Sequence, residues 1–198
     1  MLQQACLEAA KWPGPVKVAV NLSPVQFKNK KLLEIVRQAL FEAGIPPTRL
    51  ELENTETIFL NNNSSTLGML HALRTLGVSI SIDDLGTGYS PLSYLRSFPF
   101  DKIKIDQPFI RDPSVKQDAL AIVRAVMGLG RSLCMVTTAE GVETPDQLLQ
   151  LRGEGCTEVQ GYLFSHPVLA EQARLTVGIA DSAPATGNAS DIKQLHAV

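Results

Sequence analysis

The chain has 198 residues, of which 44% are hydrophobic, and a formal net charge of −2 at pH 7. This composition is typical of a globular protein with enough apolar residues for one core. The near-neutral charge argues against a nucleic acid polymer as partner, since such binding depends on neutralising phosphates. The sequence shows no signal peptide and no apolar run of about 18 residues, so no membrane span is predicted. Its three cysteines are odd in number and lack CxxC spacing, which predicts reduced thiols in a cytoplasmic protein.

Six short strand-like runs alternate with helix-like segments along the chain. The strands are predicted at residues 16–22, 50–55, 78–83, 102–106, 133–139 and 159–164. The helices are predicted at residues 2–11, 31–43, 65–76, 119–129 and 145–151. Gly44 and Gly77 mark two helix ends, and Thr144 before Pro145 marks a helix start. This alternation predicts a parallel sheet in an α/β fold.

One face of each predicted strand is polar. In residues 78–83, for example, Ile80 and Ile82 alternate with Ser81 and Asp83. A parallel strand covered by helices on both faces would be an almost continuous apolar run. Parallel strands with one polar face instead predict a TIM-type β/α barrel, whose helices cover the outer face while polar residues line the mouth. The residues expected near that mouth are Asn21, Glu53, Asp83, Lys104 and Glu140.

Two adjacent carboxylates, Asp83 and Asp84, end the third predicted strand and precede a glycine-rich stretch. At a strand end both side chains can turn toward one metal ion or one metal pair. They could instead cap a helix while Gly86 and Gly88 shape a turn. These residues alone do not distinguish the two interpretations, because short glycine-rich loops are common.

Several short motifs become specific in combination. They are Asn-Leu-Ser-Pro at 21–24, Glu-Asn-Thr-Glu at 53–56, Asp-Asp-Leu-Gly-Thr-Gly at 83–88, Lys-Ile-Asp at 104–106, Ala-Glu-Gly-Val-Glu at 139–143 and Gln-Gly-Tyr at 160–162. In this order the set resembles the EAL domain family over roughly residues 1–170. The resemblance implies a β/α barrel. It also implies the activity of the family's active members, phosphodiesterases that hydrolyse cyclic di-GMP to linear pGpG with two Mg²⁺ or Mn²⁺ ions.

The resemblance assigns roles to the residues at matching positions. Asn21, Glu53 and Asp83 match ligands of one metal ion, and Asp83 also bridges to a second ion that Asp84 and Glu140 help to hold. Carboxylate and amide oxygens are the donors that Mg²⁺ prefers. The expected catalytic residues are Glu140 and Lys104, and Lys104 matches the family lysine beside the attacking water.

Further matching positions support the site or contact the ligand. Glu56 matches the glutamate that anchors the loop after the paired aspartates. Glu143 matches a supporting position, and Gln160 is the expected substrate contact. In the family the loop, here with Gly86, Thr87 and Gly88, links dimerisation to activity. The implied partners are therefore cyclic di-GMP and a second copy of the chain, bound through the loop after Asp84.

The sequence departs from the family in one large and two small ways. The Glu-Ala-Leu segment and its nearby arginine, which belong on the first barrel strand, do not occur, so about six of the usual eight strands are expected. A truncation or a misassigned start would each leave the barrel incomplete at the N-terminus. Asn54 stands where the family usually has an aliphatic residue, and Leu85 where it usually has phenylalanine.

The predicted domains are an EAL domain at residues 1–175 and a disordered tail at 176–198, which is small, polar and without periodicity. Three functions stay open for this chain. The first is a cyclic di-GMP phosphodiesterase with little activity alone, the second is an inactive cyclic di-GMP-binding or regulatory module, and the third is an inactive remnant. The enzyme is favoured because polar residues recur at successive strand ends in the family's order.

Overall fold

The structure is a computed structural model that describes residues 1–61, 64–83, 97–111 and 116–182. The strands are β1 (Val18–Asn21), β2 (Leu50–Thr55), β3 (Ser79–Asp83), β4 (Lys102–Ile105), β5 (Val136–Ala139) and β6 (Glu158–Val159). The α-helices are α1 (Leu2–Ala9), α2 (Pro24–Phe27), α3 (Leu32–Ala43), α4 (Ser64–Leu76), α5 (Pro108–Arg111), α6 (Lys116–Ser132), α7 (Pro145–Gly153) and α8 (Ala170–Ser182). Two 3₁₀ helices cover Pro47–Arg49 and Glu56–Asn61.

The six strands form one parallel sheet in the order β1-β2-β3-β4-β5-β6, the same as their order in the chain. The sheet curls into a half-barrel with helices on its outer side. This confirms the predicted TIM-type β/α architecture with about six of eight strands. Among the described residues, β1 and β6 each pair with a single neighbouring strand.

The two faces of the sheet differ in chemistry. The outward-facing side chains are apolar and have 0% exposure, and they include Leu50, Leu52, Ile80, Ile82, Ile103 and Ile105. The inward-facing side chains are polar yet also buried, and they include Glu51, Glu53, Ser81, Lys102 and Lys104. Since a buried charge is costly without a partner, the inner face must arrange its charges in contact with one another.

Local signals explain where the helices begin and end. Gly44 ends α3 in the left-handed conformation with φ 65°, as its position in the sequence predicts. At the start of α7, the Thr144 hydroxyl accepts a hydrogen bond from the backbone N–H of Gln147. The side-chain oxygen of Gln147 in turn accepts a hydrogen bond from the backbone N–H of Thr144. The predicted cap at Thr144 and Pro145 is thereby confirmed.

The last two strands are shorter than predicted. β5 begins at Val136 rather than at residue 133, because Cys134 takes a left-handed conformation (φ 56°) that ends α6. The Met135 amide donates to the Gly130 carbonyl (2.8 Å) and completes this turn. Cys134 is exposed and does not belong to the core. β6 ends at Val159, since the chain turns at Gly161 to lie against Val142.

The C-terminal helix α8 returns to the N-terminal helix α1. Arg174 Nε lies 3.0 Å from Glu8 Oε1, and Val177 is buried with 3% exposure. Helix α8 crosses residue 175, where the predicted EAL domain ends, and residues 183–198 lie outside the described part. The boundary at 175/176 stays a prediction. No helix in the described ranges has the length and apolar character needed to cross a membrane.

Candidate active site

A buried lysine at the carboxyl end of the sheet contacts three carboxylates. Lys104 Nζ lies 3.0 Å from Glu53 Oε2, 3.2 Å from Asp83 Oδ2 and 2.6 Å from Glu140 Oε1. We call these four residues the Lys104 cluster. The lysine and the glutamate at position 53 are almost fully buried, with side-chain exposures of 3% and 5%. The structure thus brings together four of the residues that the sequence predicts for the barrel mouth.

The strands deliver these side chains because their ends meet at one edge of the sheet. Glu53 lies near the end of β2, Asp83 is the last residue of β3, and Lys104 lies near the end of β4. Glu140 directly follows β5, and its amide donates to the Ile105 carbonyl (3.0 Å). Parallel strands place all carboxyl ends on the same side, so residues far apart in sequence converge there.

Burial and charge shift the pKa values of the cluster. Burial opposes the charged form of Lys104, but the carboxylates of Glu53, Glu140 and Asp83 outweigh it and raise the ammonium pKa above its ordinary value. Burial also raises the pKa of Glu53 and of Glu140, and the attraction of Lys104 offsets part of that rise. Lys104 is therefore a permanently charged ammonium at neutral pH.

Asn21 and Glu56 lie beside this cluster. Asn21 ends β1 directly opposite Glu53 in the parallel register, and the next amide, of Leu22, donates to the Glu53 carbonyl (2.9 Å). The Asn21 side chain is exposed at the mouth. Glu56 begins the 3₁₀ helix after β2 and is buried. The roles expected for these two residues stay predictions.

Glu143 and Gln160 occupy the loops after β5 and β6. Glu143 forms an ion pair with Arg111, whose guanidinium lies 5.6 Å from the centre of the Tyr162 ring. The backbone N–H of Gln160 donates to the Ala139 carbonyl (2.8 Å), and the backbone carbonyl of Gln160 accepts from the Val142 N–H (3.0 Å). Its side-chain Oε1 is buried and has no hydrogen-bond partner among the described residues. That oxygen is available to accept a hydrogen bond from a ligand.

Four predicted site residues, Asp84, Gly86, Thr87 and Gly88, lie outside the described residues. Their metal-binding and loop roles therefore stay predictions. Within residues 1–61, 64–83, 97–111 and 116–182, no group of three or more His, Cys, Asp or Glu side chains is arranged to hold a metal ion. In the Lys104 cluster it is the ammonium that contacts the carboxylates.

Sequence reasoning missed a second ion cluster on the inner face. Lys102 Nζ lies 2.8 Å from Glu51 Oε2 and 2.7 Å from Glu158 Oε2. We call these three residues the Lys102 cluster. A signal was present, because Lys102 and Lys104 share the polar face of one strand, as do Glu51 and Glu53. Arg111 was also missed, and its short helix α5 carries no signal that singles it out.

Comparison with known proteins gives the same assignment. The family profile described as EAL domain matches residues 1–167. "Uncharacterized protein y4lL" of Sinorhizobium fredii is 55% identical over 173 residues, which are 87% of this chain and 21% of that protein. The "Cyclic di-GMP phosphodiesterase NbdA" of Pseudomonas aeruginosa is 46% identical over 153 residues, which are 77% of this chain and 20% of that protein. The chain thus spans about a fifth of the length of these curated relatives.

Solved structures agree in fold as well as in sequence. The PaMucR phosphodiesterase in complex with c-di-GMP is 42% identical, with a TM-score of 0.81, and the match covers 87% of this chain and 76% of that one. The manganese and c-di-GMP complex of Klebsiella pneumoniae BlrP1 at pH 6 is 35% identical, with a TM-score of 0.77 and coverage of 85% and 43%. From the profile match, the half-barrel and these neighbours, the chain belongs to the EAL domain family.

Proposed function

We propose that the chain is a phosphodiesterase domain that hydrolyses cyclic di-GMP to pGpG with two divalent metal ions, Mg²⁺ or Mn²⁺. The observation that carries the proposal is the Lys104 cluster, in which three strand ends and one buried ammonium meet at the barrel mouth. A charged donor aimed at the site where phosphoryl charge develops is the main requirement of such a reaction. The names of NbdA and PaMucR support the same substrate.

The residues at the mouth fit divalent metal ions by their donor chemistry. Three carboxylates face one ammonium in the Lys104 cluster, so the cluster carries an excess of negative charge. Oxygen donors with excess negative charge are what Mg²⁺ and Mn²⁺ require. The residues that would hold the ions are Asn21, Glu53, Asp83, Asp84 and Glu140. The chemistry that such ions supply when bound is a lower pKa of water and neutralisation of phosphoryl charge.

Lys104 has a role of its own in this proposal. Its ammonium is kept charged and is fixed by contacts to three side chains, so it loses little further freedom when substrate binds. Such a fixed donor orients the attacking water and stabilises the oxygen charge that builds during hydrolysis. Glu140, which contacts the same ammonium at 2.6 Å, is the second proposed catalytic residue.

Substrate contact and assembly complete the proposal. Gln160 is proposed to accept a hydrogen bond from the nucleotide through its buried Oε1, and Glu143 supports the adjacent loop through Arg111. Glu56 is proposed to anchor the loop that contains Gly86, Thr87 and Gly88. A homodimer through the loop after Asp84 is proposed on the family resemblance.

A second candidate function is a module that binds cyclic di-GMP without hydrolysing it. One observation favours it: the carboxylates proposed as metal ligands are engaged with Lys104, and no metal-binding group of three is arranged within the described ranges. In this case the mouth would bind the nucleotide but would not assemble the metal centre. The two functions differ in product, so they are separable by experiment.

The deciding experiment measures pGpG released from cyclic di-GMP by the purified chain with Mn²⁺. Asp83→Asn removes a proposed metal ligand, and Lys104→Ala removes the ammonium. Glu154→Gln is the matched control, because it changes an exposed ion pair with Arg124 on the outer helices. Circular dichroism checks that each variant is folded. Hydrolysis that is lost in the two site variants and kept in the control supports the enzyme.

The opposite results are equally informative. A folded chain that releases no pGpG but binds cyclic di-GMP in a calorimetric titration supports the binding module. A folded chain that neither hydrolyses nor binds the nucleotide contradicts both functions. Hydrolysis that survives Lys104→Ala would contradict the role given to the ammonium.

A further inference from the structure

The Lys102 cluster lies on the inner face of the barrel, one layer below the proposed active site. Lys102 connects Glu51 of β2 and Glu158 of β6, and the Thr138 hydroxyl of β5 donates to Glu158 Oε2 at 3.0 Å. The side chains of Lys102 and Glu51 have exposures of 4% and 0%. One ammonium therefore joins three strands that are not neighbours in the sheet.

The two clusters are built on the same pair of strands. Lys102 and Lys104 lie two residues apart on β4, and Glu51 and Glu53 lie two residues apart on β2. Side chains separated by two residues share a face and are about 7 Å apart along a strand. Each lysine must reach across β3 to contact β2. Strand β3 lies between β4 and β2, and its inward-facing residue Ser81 is small and fully buried. A small side chain at this position leaves space for the lysines to cross.

Stability alone does not account for the Lys102 cluster. Removing two charges from water costs several kcal/mol per ion, and apolar residues of the same volume usually stabilise a fold at least as well. A buried ion pair does, however, define one distance between the groups that it joins. In the Lys102 cluster that distance fixes where the carboxylates of Glu51 and Glu158 lie relative to β4 on the inner face.

We propose that Lys102 is a positioning residue, which holds β2 and β6 against β4 and thereby sets the separation at which Lys104 contacts Glu53. The Lys104–Glu53 contact (3.0 Å) and the Lys102–Glu51 contact (2.8 Å) join the same two strands. The first lies two residues nearer the carboxyl ends of those strands. The inference rests on the proposed function for its kinetic test. It adds a residue outside the set that the sequence predicts for the site.

The kinetic test compares Lys102→Met with Lys102→Arg and with the double variant Glu51→Gln/Lys102→Met. Lys102→Met should lower kcat by about tenfold to hundredfold, because a misplacement near 1 Å costs this much, while KM changes by less than about twofold. Lys102→Arg keeps the charge but places a larger guanidinium in the same buried space, so it should recover only part of the kcat that Lys102→Met loses. The double variant should recover part of the stability to urea, since the fully buried Glu51 carboxylate is no longer left without its counter-charge while the more exposed Glu158 still is, but it should keep the low kcat.

A matched control separates positioning from loss of stability. Val36→Ala removes buried volume in α3, far from the sheet's inner face, and should destabilise the chain without changing kcat. A kcat that follows stability across all four variants would overturn the proposal. So would a double variant in which both stability and kcat return.

A second readout does not depend on hydrolysis. The side-chain ammonium of Lys104, observed by ¹⁵N–¹H NMR, should give a protected signal in the parent chain and in Val36→Ala, and should shift or broaden in Lys102→Met. An unchanged Lys104 signal in Lys102→Met would overturn the proposal even in an active enzyme. If the parent chain releases no pGpG, the proposed function fails, while this signal still decides the positioning role.

Discussion

Gly161 packs directly against the backbone of Val142. The Val142 amide donates to the Gln160 carbonyl (3.0 Å), and the Val142 carbonyl accepts from Leu163 (3.0 Å). A Cβ atom on Gly161 would overlap the nitrogen, carbonyl carbon and oxygen of Val142. The loops that follow β5 and β6 can therefore meet only when this position is glycine. These two loops carry Glu143 and Gln160.

Gly161→Ala should separate the two loops and weaken nucleotide binding as well as the fold. The added methyl meets backbone rather than a movable side chain, so we expect a loss of about 1–3 kcal/mol in the free energy of unfolding. Urea denaturation and titration with cyclic di-GMP measure the two effects. Gly68→Ala is the control, because a Cβ there meets nothing within 4 Å and alanine favours the helix α4. Equal stability of both variants would contradict the close contact.

Asn54→Val should stabilise the protein. Asn54 faces away from Glu53 on β2, has 2% exposure, and both its side-chain polar atoms are without a hydrogen-bond partner in the described part of the chain. An unsatisfied buried amide costs about 1–3 kcal/mol, and a β-branched residue suits a strand. We expect a gain of this order in the free energy of unfolding. Asn54→Asp should be less stable than the parent, because it adds a buried charge.

The three cysteines should differ in reactivity with a thiol reagent. Cys134 is exposed, Cys6 has 0% exposure, and burial raises the pKa of the Cys6 and Cys156 thiols. At pH 8 one thiol should react rapidly in the folded chain and three in denaturant, since the thiolate is the reacting form. Labelling of Cys134→Ser tests the assignment. Rapid reaction of a second thiol in the folded parent chain would contradict it.

The ion pair between Arg124 of α6 and Glu154, the residue directly after α7, should make stability depend on pH. Arg124 donates two hydrogen bonds to Glu154, of 2.7 Å and 2.6 Å, and these lower the pKa of the glutamate. A lowered pKa contributes stability above the unfolded value of Glu, and this contribution is lost as pH falls through the folded value. Thermal unfolding between pH 7 and pH 3 should show this loss. In Arg124→Gln the loss over the same range should be smaller, and an identical pH profile would refute the assignment.

Much of the fold was predictable because each strand carries its own signal. The alternation of Ile80 and Ile82 with Ser81 and Asp83 identified both the strand and its polar face. The ends of β5 and β6 were mispredicted because contacts from elsewhere decide them. Nothing in the local sequence indicates that Gly161 must turn against Val142, and a left-handed Cys134 is unusual for a residue with a side chain.

The candidate site, like the fold, was predictable from the sequence only in part. Glu53, Asp83, Lys104 and Glu140 could be predicted to meet because parallel strands deliver their carboxyl ends to one edge. For the Lys102 cluster the sequence indicates only that Lys102 and Glu51 lie on polar strand faces, since the contact of Lys102 with Glu158 depends on the curvature of the sheet. Sequence reveals which side chains share a face, whereas the distance between nonadjacent strands depends on the packing of the whole half-barrel.

The order of the strands has a consequence for how the protein is made. Each described strand from β2 to β6 pairs with the strand that precedes it in the chain. On the ribosome, every such strand therefore emerges after its partner has already been synthesised. Paired residues lie between 20 and 34 positions apart, so each pairing closes a loop of a single β/α unit, and the entropic cost of closure rises only slowly with such lengths. The half-barrel can grow one strand at a time, in the direction of translation.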